Sequence, residues 1–583
     1  AAAAVTRTSA AGLPGGLRNL ENIRRKRVLT TRLEAQEARR RQEAEVADND
    51  QQPQQQQPQQ TVFSAEDADA FFAESNFFDL RHLQQNSLNT DAPTVEDTDP
   101  TTDTPAPTPV DCNSDPDVRE EAVMDLLGPI SPDLDDPSTP AGEAAEWILN
   151  GDPAMPDPCR DPDAVVDRFA LATFYYSTGG EQWSNNDAWL SEENACDWFG
   201  VRCDGDTIVE LNMEKNNLSG ELPPEIAALA DLRDFKMFRN SLEGTLFTEI
   251  GELMNLRTLD LEQNLFTGTI PSEVLNIPDL QFLRGSFNEF SGTIPEDIGQ
   301  LDSLKELWFA ETDLEGTIPA SIGNCEELES ILLYGTDIEG ELPPEMFASD
   351  QLAWVDLSET DVEGELPSTF YEATALRKFV MNSTDISGTL SEDLGNLENL
   401  EQLWIRKTNL EGKIPDSIGD LSKLEILLLD ENKMTGPIPS TIGNNGNLLF
   451  VDVSNNELEG AIPSELFDVD RLEIIYIGNN TLTGPIPENY YEPDNLRELW
   501  IDGNLLTGTV PDVPDGKFEQ LEELILNKNF LTGDVPDSLC DLRDDADGKI
   551  VSLHADCAQP PSPPQIGCAC CTKCTTAAGE EDP

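Results

Sequence analysis

The chain has 583 residues and a formal net charge of -77, from 113 acidic against 36 basic side chains. So acidic a surface repels nucleic-acid phosphates and anionic lipid headgroups, which argues against a nucleic-acid partner and favours cations or basic partners. The two histidines, His82 and His554, and the lack of a GxxxxGK loop or kinase segment leave no histidine-based triad and no phosphate-transfer machinery, so no enzyme and no cofactor is expected.

Residues 1–50 read as a basic tail: ten Lys and Arg against five Glu stand within the first 45 positions, so the remainder carries -82. No run approaches the roughly 18 apolar residues of a membrane helix. The chain begins AAAAV without a methionine, which leaves room for a signal or membrane anchor upstream of residue 1. Residues 51–138 read as a disordered acidic linker, opening with QQPQQQQPQQ and dominated by Asp, Pro and Thr from Asp91 to Pro137. Within it, Phe71, Phe72, Phe77 and Phe78 among carboxylates form a short amphipathic patch.

Order is expected from about Thr139. Residues 139–206 carry helical apolar spacing (Ala144, Trp147, Ile148; Val165, Phe169, Leu171, Tyr175) and then Trp183, Trp189 and Trp198 with the Cys196 and Cys203 pair. That composition suits a cap for the first unit of a repeat array, which has no neighbour to cover it.

Residues 207–537 are such an array. Glycines from Gly220 to Gly508 recur every 24 residues, and Gly533 follows after 25, which makes fourteen copies of one unit. A fixed period of this length predicts a solenoid of short parallel strands, each unit burying its apolar face against its neighbours. Leucines such as Leu256, Leu259 and Leu261 should enter the core while the residues between them face the inner surface. Four positions before the glycine stands Asn in nine units and Thr in five (Thr312, Thr336, Thr360, Thr384, Thr408), both expected inside the coil. Proline three after the glycine, in twelve of fourteen units, should hold an extended outer segment. Residues 538–574 form a cysteine-rich cap, and 575–583 a tail.

The pattern LxxLxLxxNxLxGxIPxxI, preceded by an aromatic cap and CDWFGVRCD, resembles the plant-type extracellular leucine-rich repeat proteins. AAEWILNGD, RFALATFYYSTGGEQW and the cysteine-rich tail resemble more particularly the leucine-rich repeat family of diatoms and related algae. The resemblance implies an α/β solenoid, a horseshoe or superhelix of 14 repeats with a parallel concave sheet, a helical N-cap and a cysteine-rich C-cap, outside the cell or at its surface.

On the inner face, eight positions before each glycine, Trp308, Leu332, Asp356, Val380, Trp404, Leu428, Asp452, Tyr476, Trp500 and Ile525 form an apolar stripe; Trp354, Phe450 and Ile474 lie one column away. Large exposed aromatics anchor protein, peptide or sugar-ring ligands. Trp308, Trp404 and Trp500 stand 96 residues apart, as do Asp260, Asp356 and Asp452, a second period that duplication of four-unit blocks also explains. Lys378, Arg406 and Lys407 place a basic island beside Trp404, suited to a carboxylate or sulfate. Asp313, Asp337, Asp361 and Asp385 form a row that a calcium ion would relieve of repulsion. Asn217, Asn382 and Asn479 open glycosylation sequons. Cys196, Cys203, Cys540, Cys557, Cys568, Cys570, Cys571 and Cys574 are disulfide candidates; Cys325 reads as a buried apolar residue, and Cys112 and Cys159 show no evident partner. The expected function is non-enzymatic capture of a protein, peptide or glycan on the concave face. The alternative is a structural protein of the cell covering with cation-dependent assembly. Oligomeric state is not legible.

Overall fold

The computed structural model describes residues 112–544, 550–556, 567–568, 570–575 and 581–582. The basic tail and the amphipathic phenylalanine patch lie outside them.

The cap already includes Cys112, upstream of Thr139. Helix α1 (Pro116–Leu127) is capped by Asp115, whose carboxylate accepts from the Asp117 N–H, and has proline in its first turn. Its Val123 and Leu127 pack with Ala141 and Ala144 of α2 (Pro140–Glu146) and with Val165 and Phe169 of α3 (Pro162–Ser177). A disulfide joins Cys112 to Cys159 across this small core. The linker expectation therefore fails for residues 112–138: prolines and aspartates around α1 hide a helix whose apolar contacts only the cap supplies.

Beneath α3, Arg168 is buried. It makes a two-pronged bond to Asp152 at 2.8 and 2.6 Å, donates to the Ser191 and Glu193 carbonyls, and lies 4.8 Å from the Trp198 ring and 5.2 Å from that of Trp147. A charge so placed is tolerated because each of its three nitrogens donates to an oxygen and Asp152 balances it. Trp183, Trp189 and Trp198 pack beside it, Trp183 against Trp189 at 4.8 Å, and close the end of the array's core. The Cys196–Cys203 disulfide ties the loop leading into the first strand.

From there each repeat is one coil. A three-residue strand such as Glu306–Trp308 pairs in parallel with the strands of the coils before and after. A second parallel sheet begins just after the Asn or Thr position, as in Asp313–Gly316. A short 3-10 turn such as Ala320–Asn324 then follows the proline on the outer side. Leu304, Leu307, Leu314, Ile322 and Leu328 of this coil are buried, and the equivalent positions merge into one continuous core from cap to cap. Cys325 lies in that core as a free thiol, its pKa pushed up to about 12 by burial.

The repeating glycine takes a positive φ in every unit, and in some units the preceding coil also stands close. Gly316 has φ +78°, and a Cβ there would come within 3.0 Å of Thr293 Cγ2 in the preceding coil. Asn and Thr at the inward position do different work. Asn432 Nδ2 donates to the Leu429 carbonyl of its own coil at 3.0 Å and to the Ile405 carbonyl of the preceding coil at 2.6 Å, while Oδ1 accepts from Leu410 N–H at 3.2 Å. Thr336 is equally buried and donates to the Leu333 carbonyl of its own coil at 2.6 Å.

The array ends on helix α4 (Asp537–Asp544) and a strand, Ser552–Ala555, that pairs with Glu523–Ile525 as a further rung. Cys540–Cys570 and Cys568–Cys571 are disulfides. Cys557 and the Cys574 side chain lie outside the described residues.

The two inward residues predict different losses on substitution. Thr336→Val should cost about 1 kcal/mol in denaturant unfolding, and Asn432→Ala roughly 2–4 kcal/mol, because it strands polar groups in two coils. Equal losses would contradict the cross-coil role of the amide.

Candidate ligand-binding face

Ten consecutive strands, Glu306–Trp308 through Glu523–Ile525, pair without a register slip. Their middle residues, such as Leu307, Leu403 and Leu499, point into the core, so the flanking two share the opposite face. Two columns result. One runs Glu306, Ser330, Trp354, Lys378, Gln402, Ile426, Phe450, Ile474, Glu498, Glu523, and the other is the stripe from Trp308 to Ile525.

The stripe is less exposed than its composition suggests. Trp404 retains 6% of its surface and Tyr476 8%; Leu332, Val380 and Leu428 are buried too. Strands about 4.8 Å apart bring successive side chains of a column into contact, so each covers the next. Trp308, Trp354 and Trp500 remain half-buried. Trp404 is therefore a supporting residue, and the half-open rings are the part of the stripe that reaches the surface.

Three clusters organise this face. At the first, Arg284 bonds Glu306 at 2.6 Å, approaches Asp260 at 3.5 Å and lies 4.5 Å from the Trp308 ring. At the centre, Lys378 Nζ lies 4.8 Å from the Trp354 ring and 5.0 Å from that of Trp404. Burial lowers the Lys378 pKa to about 8 against the opposing pull of Asp356, whose own carboxyl burial raises. The buried Trp354 Nε1 and Gln402 Oε1 have no hydrogen-bond partner among the described residues. Arg406 pairs with Asp430 at 3.0 Å, and burial raises Asp430 although Arg406 opposes it. At the third cluster the Tyr476 and Trp500 rings stack at 4.2 Å and Phe450 meets Tyr476 edge-on at 5.5 Å. Tyr476 Oη donates to Glu498, and Trp500 Nε1 donates to Glu523 at 3.1 Å. Burial raises both carboxyls above their ordinary range.

Of the basic residues expected beside Trp404, Lys378 lies against its ring and Arg406 is paired with Asp430. Lys407 does not join them: it sits exposed in the following turn with φ +55°. The calcium row fails on register. Asp337 stands opposite Glu315, and Asp361 opposite Glu339, because the second sheet is staggered by two residues per coil. Among the described residues the one group with three ligand atoms within 4.8 Å is Cys112, Asp157 and Cys159, whose sulfurs are already joined. Of the sequons, Asn217 and Asn479 are exposed and Asn382 is half-buried.

Arg284, Asp430, Glu498 and Glu523 escaped the sequence reading. Arg284 stands eight before Gly292 and belongs to the stripe, one unit ahead of where it was read to begin. Glu498 and Glu523 share the column of Trp354 and Phe450, so the same periodicity contained them.

The profile of the Leucine Rich Repeat family matches residues 207–229, 255–277 and 520–542. The fold is a leucine-rich repeat solenoid. The solenoid is similar to the plant peptide hormone receptor RGFR1 in complex with RGF2, at 30% identity and TM-score 0.53 over 56% of each chain. It is similar to a TDR receptor at 32% identity and TM-score 0.54 over 56% of this chain and 57% of that one. PEPR1 in complex with AtPEP1 matches at 27% identity and TM-score 0.54, covering 66% of this chain and 61% of its own. The match therefore spans under two thirds of each of these receptor chains. A comparison with curated protein sequences finds no match. Among the described residues of the leucine-rich repeat solenoid and its caps, no helix is long and apolar enough to cross a membrane.

Asp452 gives this face a pH signature. Burial and the nearby Asp430 raise its pKa from 3.8 to about 7. A folded-state pKa above the unfolded one means stability is lost as pH rises from 3.8 through 7. Asp452→Asn, which keeps the oxygen that accepts the Ser454 N–H at 2.9 Å, should raise the melting temperature at pH 8 and leave it unchanged near pH 3.5. A gain of equal size at both values would contradict the burial of an ionised carboxylate.

Proposed function

We propose that the protein is a non-enzymatic recognition module that binds a peptide or protein segment across the concave sheet between Trp308 and Trp500, outside the cell. The observation that carries this reading is the face itself: half-open tryptophans at Trp308, Trp354 and Trp500, backed by buried Trp404 and Tyr476, on one in-register sheet. Rigid aromatics that are already packed lose little entropy when a ligand covers them. Lys378, held between two rings on an acidic body, is a local attraction for a carboxylate or sulfate on that ligand.

One of the similar solved structures is a plant peptide hormone receptor in complex with RGF2, which favours a peptide over a glycan. Extracellular placement rests on the disulfides in both caps. The exposed sequons at Asn217 and Asn479 fit it, and a secreted preparation should carry glycan there and not at half-buried Asn382. Intact-mass analysis before and after removal of N-glycans checks this.

Trp500→Ala and Trp308→Ala should each weaken capture of the bound peptide or protein by roughly tenfold or more with little change in melting temperature. Trp404→Ala should lower the melting temperature, because it empties a buried site. Capture from secreted material by the full chain, read beside thermal melts of the three variants, checks both parts. Undiminished capture by the Trp308 and Trp500 variants would sink the reading.

A further inference from the structure

Over most of the concave sheet, carboxylates are answered by cations on the same face. Arg202 and Lys236 share Glu210 at 2.5 and 2.9 Å, and Arg284 bridges Glu306 and Asp260. Lys378 opposes the charge of the buried Asp356, and Arg406 pairs with Asp430 at 3.0 Å. Glu498 and Glu523 break this pattern. They stand directly opposite each other in the parallel pair of Glu498–Trp500 with Glu523–Ile525. Among the described residues each accepts from a neutral donor instead of an ion-pair partner, Glu498 from Tyr476 Oη and Glu523 from Trp500 Nε1 at 3.1 Å. Arg497, the residue before Glu498, is held by Glu522 at 2.7 Å.

Two like charges one strand apart, about 4.8 Å, repel each other, and neutral donors position them without cancelling them. Burial first, and then the charge of Glu523, hold the Glu498 carboxyl above its ordinary range. The same pair borders an aromatic wall. Tyr476 and Trp500 stack at 4.2 Å, Phe450 meets Tyr476 edge-on at 5.5 Å, and Trp500 is the half-open ring of the three. Because the rings are already packed and their own O–H and N–H groups fix the carboxylates, a ligand would meet a rigid arrangement.

An ammonium or guanidinium on an apolar stem is the group that all of these features favour. Its charge relieves the facing carboxylates, its head lies against a π face, and its methylenes cover Trp500 and Ile474, which is half-buried on the strand paired with that of Glu498. We infer that Glu498, Glu523 and the Trp500 ring form the subsite for a Lys or Arg side chain of the bound peptide. The inference rests on the peptide-binding reading above and adds to it the chemistry of one ligand side chain and its place at the C-terminal end of the proposed face.

A library of random peptides about twelve residues long, displayed through their N-termini so that no free α-amine competes, tests it by selection against the full chain. The enriched pool should carry a Lys or Arg at one aligned position, roughly tenfold above the input frequency. Reselection against the Glu498→Gln, Glu523→Gln double variant, which keeps oxygens for Tyr476 and Trp500 to donate to, should return peptides without that bias. Thermal melts confirm that the fold persists, and should the double variant melt early, Glu523→Gln alone serves in its place. A pool that still requires Trp308 but carries no aligned basic residue, or one whose basic residue survives in the double variant, overturns the subsite and leaves peptide binding standing. No enrichment, or a pool unaffected by Trp308→Ala and Trp500→Ala, overturns both.

Discussion

Each coil depends on the satisfaction of backbone groups that its own turn strands inside the core. A short parallel strand followed at once by a tight turn leaves carbonyls pointing inward, where water cannot reach them. The inward Asn answers them for two coils together, as Asn264 does by donating to Leu261 of its own coil and Met237 of the one before, while accepting from Leu242 N–H. In the Asn coils the bond ties the neighbouring coil as well as closing the turn, while in the Thr coils the strand pairing alone holds the stack. The glycine is favoured at every turn by its positive φ, and in coils such as that of Gly316 by the closeness of the neighbour as well.

With the spacing held, the concave face follows. Side chains in a column lie one strand apart, so large residues cannot stand as separate exposed anchors. They pack into a continuous surface in which Trp404 and Tyr476 support their neighbours and Trp308, Trp354 and Trp500 stay partly open. Charges obey the same geometry. A cation placed in such a column meets rings or carboxylates one or two coils away, and this is how Arg284 and Lys378 come to be enclosed. Desolvation shifts the protonation of Lys378 and Asp452 toward neutrality because neighbours on the same face exclude water.

Legibility differed between the parts for physical reasons. The solenoid could be read because its constraint repeats fourteen times, so every core position is stated again every 24 residues. The capping helix α1 is stated once, in an Asp- and Pro-rich setting, and its partners Val165 and Phe169 lie some forty residues on. The Cys112–Cys159 disulfide escaped notice for the same reason. Arg284 and the two carboxylates at Glu498 and Glu523 were present in columns already identified, but their meaning depends on which neighbours the register brings beside them.

The sequence by itself determined the solenoid, the direction of its core leucines, the inward Asn and Thr, and the columns of the concave face, since each follows from a period that only one local geometry satisfies. The tertiary structure decided how open each aromatic is, which charges are already answered and that the helix Pro116–Leu127 belongs to the cap. Those properties belong to pairs of side chains one coil or more apart, and a period places such pairs in line without saying how closely they cover one another.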